Sequence, residues 1–388
     1  MKKNQYIPYG KQQILSDDID AVIGVLKSDY LTQGNCVPNF ENSVNEYCNS
    51  KYAVAVTSAT AALHLACLAL ELGPDDWLWT SPITFVASSN CALYCGANVD
   101  FVDIDPKTFN LCAKALEKKL IQAEKVGKLP KIVIPVHLCG QSCDMKSIHE
   151  LSVKYNFQII EDASHAIGGK YGKENIGACQ YSDITIFSFH PVKIITTGEG
   201  GMAVTNNPKI ADTMSLLRSH GITRDKGKMF NEAEGDWYYE QISLGFNYRM
   251  TDIQAALGIS QLKKIDKFVK KRCEIANRYD ELLFDLPLET PFLSDKCYSS
   301  FHLYVVQVDE KYNKRSIFEF MRNNNIGVNI HYIPVIIQPF YEKFGYDISL
   351  YPNAMNYYKN ALSLPMYPTL SETQQDYVVN TLKSSFLL

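Results

Sequence analysis

YAVAVTSATAALHLACLAL, residues 52–70, changes its hydrophobic period part-way along. Residues 53–56 are a short apolar run with β-branched members, residues 57–60 are small or hydroxyl-bearing, and an alanine- and leucine-rich segment follows. The three parts read as a strand, a turn and a helix. The first N–H groups of such a helix have no partner inside it and lie at the positive end of its dipole, so the turn suits a phosphate. Ser58 or Thr60 as a plain N-cap explains the same residues, and capping does not exclude phosphate binding.

The same alternation continues along the chain. DWLWTSPITFVASSNCALYCG (76–96), NVDFVDID (98–105), KIVIPVHLCG (131–140), FQIIEDASHAIGG (157–169) and SDITIFSFH (182–190) each supply a short apolar strand. Helical segments such as MKSIHELSVKY (145–155) lie between several of them. Strands alternating with helices predict an α/β domain with a mostly parallel sheet covered on both faces, and ligands of such sheets gather beyond the strands' C-terminal ends. The segment 251–283 reads as one bent helix or two, with a glycine inside, and a mixture of strands and helices follows. The expected division is a large domain with its N-terminal segment over 1–250 and a smaller C-terminal α/β domain over 251–388.

A net charge of −4 with interspersed lysines and acids provides no footprint for nucleic acid. No segment has the length of a membrane span, and MKKNQYIPYGKQ at the start lacks the apolar stretch of a signal peptide. The 11 cysteines are odd in number and mostly embedded in apolar segments, as in a reduced cytoplasmic protein. His137, Cys139 and Cys143 have no second pair at ligand spacing, so no metal is expected.

Four features carry chemistry. In SFHPVKIITTGEGG (188–201) a lysine, Lys193, interrupts an apolar run just before a glycine-rich turn. Burying an ammonium is costly, so Lys193 either snorkels to the surface or works as an amine. Asp162 follows two isoleucines at a strand end, where a carboxylate can hold a protonated ring nitrogen or merely cap a helix. Phe85 in SPITFVAS can lie against a planar ligand or fill core. With the phosphate-suited turn, these are the parts that pyridoxal 5′-phosphate needs: an amine for the Schiff base, an acid for the pyridine nitrogen, an aromatic face and an anion site.

The chain resembles the DegT-type sugar-nucleotide aminotransferases, which are fold-type I pyridoxal-phosphate enzymes. The resemblance runs nearly end to end, through YLTQG, FENSVNEYC, SATAALHLA, PITFVAS, EDASHAIGG, SFHPVKIITTGEGG, RSHGI, LGFNYRMTDIQAALG, HYIPV and LPMYPTLS. It implies Lys193 as the Schiff-base lysine and proton-transfer base, Asp162 as the pyridine partner, Phe85 stacked on the ring and His165 beside the ring hydroxyl. It gives the phosphate to Thr60, the Ala61 backbone and Ser188, with Asn247 reaching across from a second subunit, hence a homodimer. It places the sugar nucleotide near Tyr6, Asp29, Tyr30, Leu31, Thr32, Ala59, the partner copy's Arg249, His331, Tyr332, Ile333 and Pro334.

The activity implied is transfer of the amino group of L-glutamate to the C4 keto carbon of a nucleotide-linked 4-keto-6-deoxy sugar. Within the family, residues 188–201 and LGFNYRM are most similar to the aminotransferases of pseudaminic acid biosynthesis, which act on UDP-2-acetamido-2,6-dideoxy-β-L-arabino-hex-4-ulose. Many relatives have Asn where this chain has Val192. A perosamine-type or 4-amino-4,6-dideoxyglucose-type aminotransferase uses the same motifs. A sugar 3-dehydratase of this fold carries His in place of the lysine, which Lys193 argues against, and a non-catalytic sensor of the cofactor is the remaining alternative.

Overall fold

The computed structural model describes residues 6–387. The seven strands of the large sheet are β1 Tyr52–Val56, β2 Trp77–Thr80, β3 Asn98–Phe101, β4 Ile132–Ile134, β5 Gln158–Asp162, β6 Ile184–Ser188 and β7 Gly201–Thr205. They lie in the order β1-β7-β6-β5-β4-β2-β3. The pairs from β6 through β5, β4, β2 and β3 are parallel, whereas β7 runs against both β6 and β1. Six strands therefore point one way, and their C-terminal ends share one edge of the sheet.

Two helices, α1 (Ser16–Leu26) and α2 (Cys36–Cys48), precede β1. Both faces of the sheet are covered, which is why β4 reads as the unbroken apolar run IVI. Alternate residues serve opposite faces: Ile132, Ile134 and Ile160 pack with α3 (Ala59–Ala69) and α4 (Ala87–Tyr94), while Val133 and Ile159 pack with α5 (Ala113–Lys125) and α6 (Met145–Tyr155). On the β1–β7–β6 side, Ala55, Phe187 and Val204 meet Phe40 and Val44 from the N-terminal segment.

The segment 251–283 is two helices, α7 (Asp252–Leu262) and α8 (Ile265–Leu283). A capping box starts α7: Thr251 Oγ1 accepts from Gln254 N, and Gln254 Oε1 accepts from Thr251 N. The glycine inside it, Gly258, is a packing requirement, since a Cβ there would lie 2.6 Å from Phe40 Cζ. The boundary expected at 250/251 falls on this cap. Ala255, Leu262, Ile265 and Phe268 still pack with the large-sheet core, and from Ile275 onward α8 joins the core of a smaller sheet. That sheet consists of β8 Leu288–Glu289, β9 Tyr304–Val308 and β10 Ala361–Leu364, all antiparallel. Between β9 and β10 the chain passes back over the large sheet, where Val335 N donates to Pro82 O at 2.8 Å. This return carries the HYIP segment over the C-terminal edge. Among the described residues, no helix is long and apolar enough to cross a membrane.

Candidate active site

At that edge lies a cavity of ≈ 770 Å³, walled on one side by loops of the large sheet and on the other by residues next to the small one. Period-2 alternation on β5 sends Asp162 into it and Glu161 to the opposite face. Glu161 there meets His137 Nε2 at 2.7 Å, and Cys143 N donates to His137 Nδ1 at 3.2 Å. His137 therefore belongs to a buried hydrogen-bond network.

Asp162 is 5% exposed and fixed on both oxygens. Oδ2 accepts from Ser88 Oγ at 2.6 Å and Oδ1 from Ser164 N at 3.1 Å. Ser88 comes from α4, so the turn that carries Phe85 also orients the carboxylate. Lys193 follows a turn closed by its N–H to His190 O at 2.9 Å and lines the same cavity, partly buried. Burial lowers its pKa to about 8, with the charge of Asp162 opposing the shift. Its amine is thereby neutral in roughly a tenth of molecules at pH 7, against fewer than about one in a thousand for an ordinary lysine.

The helix start on which the sequence reading turned is built as an anion cradle. Ser58 caps α3 by accepting from Ala61 N at 3.1 Å, leaving the Ala59 and Thr60 N–H groups, first and second in the helix, beside the cavity. Gly201 lies between Val56 and Ser188 in the sheet, and a Cβ on it would lie 2.4 Å from the Ser58 carbonyl carbon. A glycine at that position lets α3 start close to the strand ends.

His165 Nδ1 accepts from Cys139 N at 3.3 Å, so its proton sits on Nε2, 3.0 Å from the Tyr332 hydroxyl. Cys139 adopts φ 61°, a left-handed conformation uncommon for a residue with a side chain. Burial, then the charge of Lys193, holds the His165 pKa well below the usual imidazole range. His331 also lines the cavity, but its nitrogens face Ser363 Oγ at 2.8 Å and Asn329 Nδ2 at 3.3 Å. Burial and Lys193 push its pKa down to about 4.

The cavity thus gathers Ala59, Thr60, Phe85, Asp162, His165, Ser188, Lys193, His331 and Tyr332. Other expected residues stand outside it in the single chain. Tyr6 is 49% exposed with its hydroxyl accepting from Arg322 Nη1 at 3.1 Å, and the tyrosine in the wall is Tyr9, its ring 5.2 Å from that of His331. The Ala61 N–H is spent on the Ser58 cap, so the N–H groups open to a phosphate are those one and two residues earlier. Asp29, Tyr30, Leu31 and Thr32 form an exposed loop, Ile333 is 44% exposed, and Pro334 is buried at the start of the 335–337 turn. Asn247 and Arg249 lie on neighbouring backbone bridges, to Ser219 and Val56. Sequence reasoning missed Tyr9, His302 and Asn329. His302 carries the same signal as Lys193, a lone polar group in an apolar run, here SFHLYVV.

A carboxylate for a cationic ring nitrogen, a desolvated amine, a capped helix start for an anion and the Phe85 ring match pyridoxal 5′-phosphate group by group. The profile of the DegT/DnrJ/EryC1/StrS aminotransferase family matches residues 12–383. The chain belongs to that family. It is 40% identical over 388 residues to the Bacillus subtilis spore coat polysaccharide biosynthesis protein SpsC, covering 98% of this chain and 97% of that one. It is also 40% identical to the UDP-4-amino-4,6-dideoxy-N-acetyl-beta-L-altrosamine transaminase of Campylobacter jejuni serotype O:2, with 97% of each covered. Among solved structures, Helicobacter pylori PseC, an aminotransferase involved in pseudaminic acid biosynthesis, superposes with TM-score 0.89 at 32% identity, covering 99% of this chain and 100% of that one. Streptococcus pneumoniae Spr1654, solved in PLP and PMP forms, gives TM-score 0.88 at 29% identity with 98% of each covered. The protein is a sugar aminotransferase of this family with the fold-type I architecture, and its cofactor is pyridoxal 5′-phosphate.

Proposed function

We propose that this DegT-family enzyme transfers the amino group of L-glutamate to C4 of UDP-2-acetamido-2,6-dideoxy-β-L-arabino-hex-4-ulose, as a homodimer in the cytoplasm. The observation that carries the reading is full-length 40% identity to the Campylobacter transaminase, joined to a cavity in which Lys193 and Asp162 meet. Bound pyridoxal phosphate supplies an electron sink for the carbon that bears the exchanging nitrogen. Lys193 Nζ would hold the cofactor and, once displaced by the donor's nitrogen, would take the proton from the donor's α-carbon and carry it onward as the nitrogen changes hands. Desolvation suits it to that work, because only a neutral amine can accept the proton. Asp162 would keep the pyridine nitrogen protonated, and the Ala59 and Thr60 N–H groups with Ser188 would receive the phosphate. Phe85 would cover the ring, and His165 would stand beside the ring hydroxyl with its Nε2–H turned to Tyr332. Lys193 then works in the opposite sense when the keto sugar takes up the nitrogen.

The exposed apolar side chains Phe230, Trp237, Tyr239 and Leu244 precede Asn247 and Arg249. A second copy covering this stretch removes apolar surface from water and brings both polar groups towards the partner copy's cavity. Equal identity to SpsC, a spore coat polysaccharide biosynthesis protein, motivates testing one second reading, amination of another nucleotide-linked 4-keto-6-deoxy sugar, of the perosamine or 4-amino-4,6-dideoxyglucose kind. Purified enzyme with glutamate and a panel of 4-keto UDP- and dTDP-sugars tests both, with products identified by mass and NMR. Preferred amination of the UDP-N-acetyl arabino-hexulose is expected, and a dTDP-sugar aminated with higher kcat/KM overturns the first reading.

A further inference from the structure

An amino acid that exchanges its nitrogen with Lys193 brings a carboxylate into the cavity one bond from the reacting carbon, and that charge has to be met. Within one copy no arginine lines the cavity among the described residues, the partner copy's Arg249 is assigned to the sugar nucleotide, and the lysine there is already engaged in the chemistry. On the wall beside the small sheet, most polar groups are committed. Both His331 nitrogens face Ser363 and Asn329, Asn329 Oδ1 accepts from Ile330 N, and the Tyr332 hydroxyl faces His165.

His302 and the Tyr9 hydroxyl are the exceptions among the described residues, and His302 is the more deeply buried of the two. It is 4% exposed, lines the cavity and packs its ring 4.4 Å from that of His165. Its Nδ1 is sealed in without a hydrogen-bond partner. Its Nε2 has no partner among the described residues and is not sealed, so it opens on the cavity. A lone pair is cheaper to leave unpaired in the core than an N–H, which puts the proton on Nε2. The backbone holds this edge in place: Arg272, 1% exposed, donates from Nη1 to the carbonyls of Phe301 and His302, each at 3.2 Å, and of Met366 at 3.1 Å.

We propose that the Nε2–H of His302 receives the α-carboxylate of the amino donor. The inference rests on the reading of the reaction as transamination from an amino acid. It is tested on holoenzyme with the two half-reactions measured separately, amino acid with the pyridoxal form and keto sugar with the pyridoxamine form. Succinate, a dicarboxylate with no nitrogen to exchange, reports binding by calorimetry. His302→Phe keeps a ring against His165 and removes the donor, whereas His302→Gln restores an N–H without the ring.

The Phe variant is expected to lose about 10- to 100-fold in kcat/KM for glutamate and in succinate affinity, the loss that follows removal of a hydrogen bond to a charged group. Its keto-sugar half-reaction stays near wild type, and the Gln variant recovers most of the loss. Unchanged glutamate kcat/KM and succinate affinity in His302→Phe overturn the proposal, as does an equal fall in both half-reactions that Gln does not rescue. Wild-type enzyme inert to every amino acid overturns this proposal and the donor reading together. Wild-type enzyme that prefers another amino acid corrects the donor alone and leaves His302 to be judged on that acid.

Discussion

Replacing Lys193 by Met should make the cofactor-free protein more stable, although it destroys the enzyme. The folded lysine has its pKa lowered from 10.5 to about 8 because burial disfavours its charged form. Below pH 8 both folded and unfolded chains carry the charge, and the folded state bears the whole cost. Between pH 8 and 10.5 the folded chain has released a proton that the unfolded chain keeps, so stability rises with pH; above that window both are neutral. The fall from 10.5 to about 8 corresponds to about 3 kcal/mol, an upper limit because the amine keeps some contact with cavity water. Urea unfolding of cofactor-free wild type and Lys193→Met, run in parallel from pH 7 to 10, gives the difference with other titrations cancelled. The expected gap is up to about 3 kcal/mol in favour of the variant at pH 7, closing steadily above pH 8. A flat gap, or a variant less stable at pH 7, would show that Lys193 is solvated and remove the basis for its working as a neutral amine. The same ionisation governs loading: the rate of pyridoxal phosphate capture should climb tenfold per pH unit and level near 8. Since Asp162 opposes the shift, Asp162→Asn should move that inflection lower.

Lys193→Ala should lack the lysine-linked visible band and leave amino transfer at background, judged by absorbance and product assay. Ser88→Ala removes the 2.6 Å bond to Asp162 between two buried groups and should cost about 1–3 kcal/mol in urea unfolding, with kcat lowered as the carboxylate loosens. Gly201→Ala would place its Cβ 2.4 Å from the Ser58 carbonyl carbon and push the start of α3 off the strand ends, so the Kd for pyridoxal phosphate should rise at least about tenfold by equilibrium dialysis. Arg272→Met leaves three carbonyls unpartnered, partly offset by loss of a buried charge, and should destabilise by roughly 3 kcal/mol in the same urea assay.

The large sheet was legible because its strands obey the simplest pattern. IVI and the paired isoleucines of IIED are too apolar for half-exposed strands, and each run gives way to a polar or turn-forming residue, as a strand does at the functional edge of a parallel sheet. Lys193 and Asp162 stood out for the same reason, as groups costly to bury in otherwise apolar runs. Details that depend on packing between distant segments were not legible. Nothing in YIPYGKQ distinguishes Tyr6 from Tyr9, and only contact with the His331 segment puts the second in the wall. The helix start was placed, but which of its N–H groups stay free depended on Ser58 turning its hydroxyl onto Ala61. His302 looked like part of a strand because its cavity position comes from Arg272, thirty residues earlier in sequence, gripping the backbone around it.

The three imidazoles around Lys193 are best understood together. Burial comes first in lowering the pKa of His165, His302 and His331, and the lysine's charge adds to it in each case. Were any of them protonated at neutral pH, a second cation would compete with the cofactor's ring nitrogen for Asp162, whose oxygens are aimed by Ser88 and Ser164. Kept neutral, each ring can donate through one nitrogen and accept through the other. The hydrogen bonds follow that division: His165 accepts at Nδ1 from Cys139 and presents Nε2–H to Tyr332, and His331 lies between Asn329 and Ser363. Neutral donors around a single buried carboxylate stabilise negative charge on incoming oxygens without adding a fixed positive charge that would hold Lys193 deprotonated at every stage. The lysine therefore stays free to gain and lose its proton in each half of the cycle.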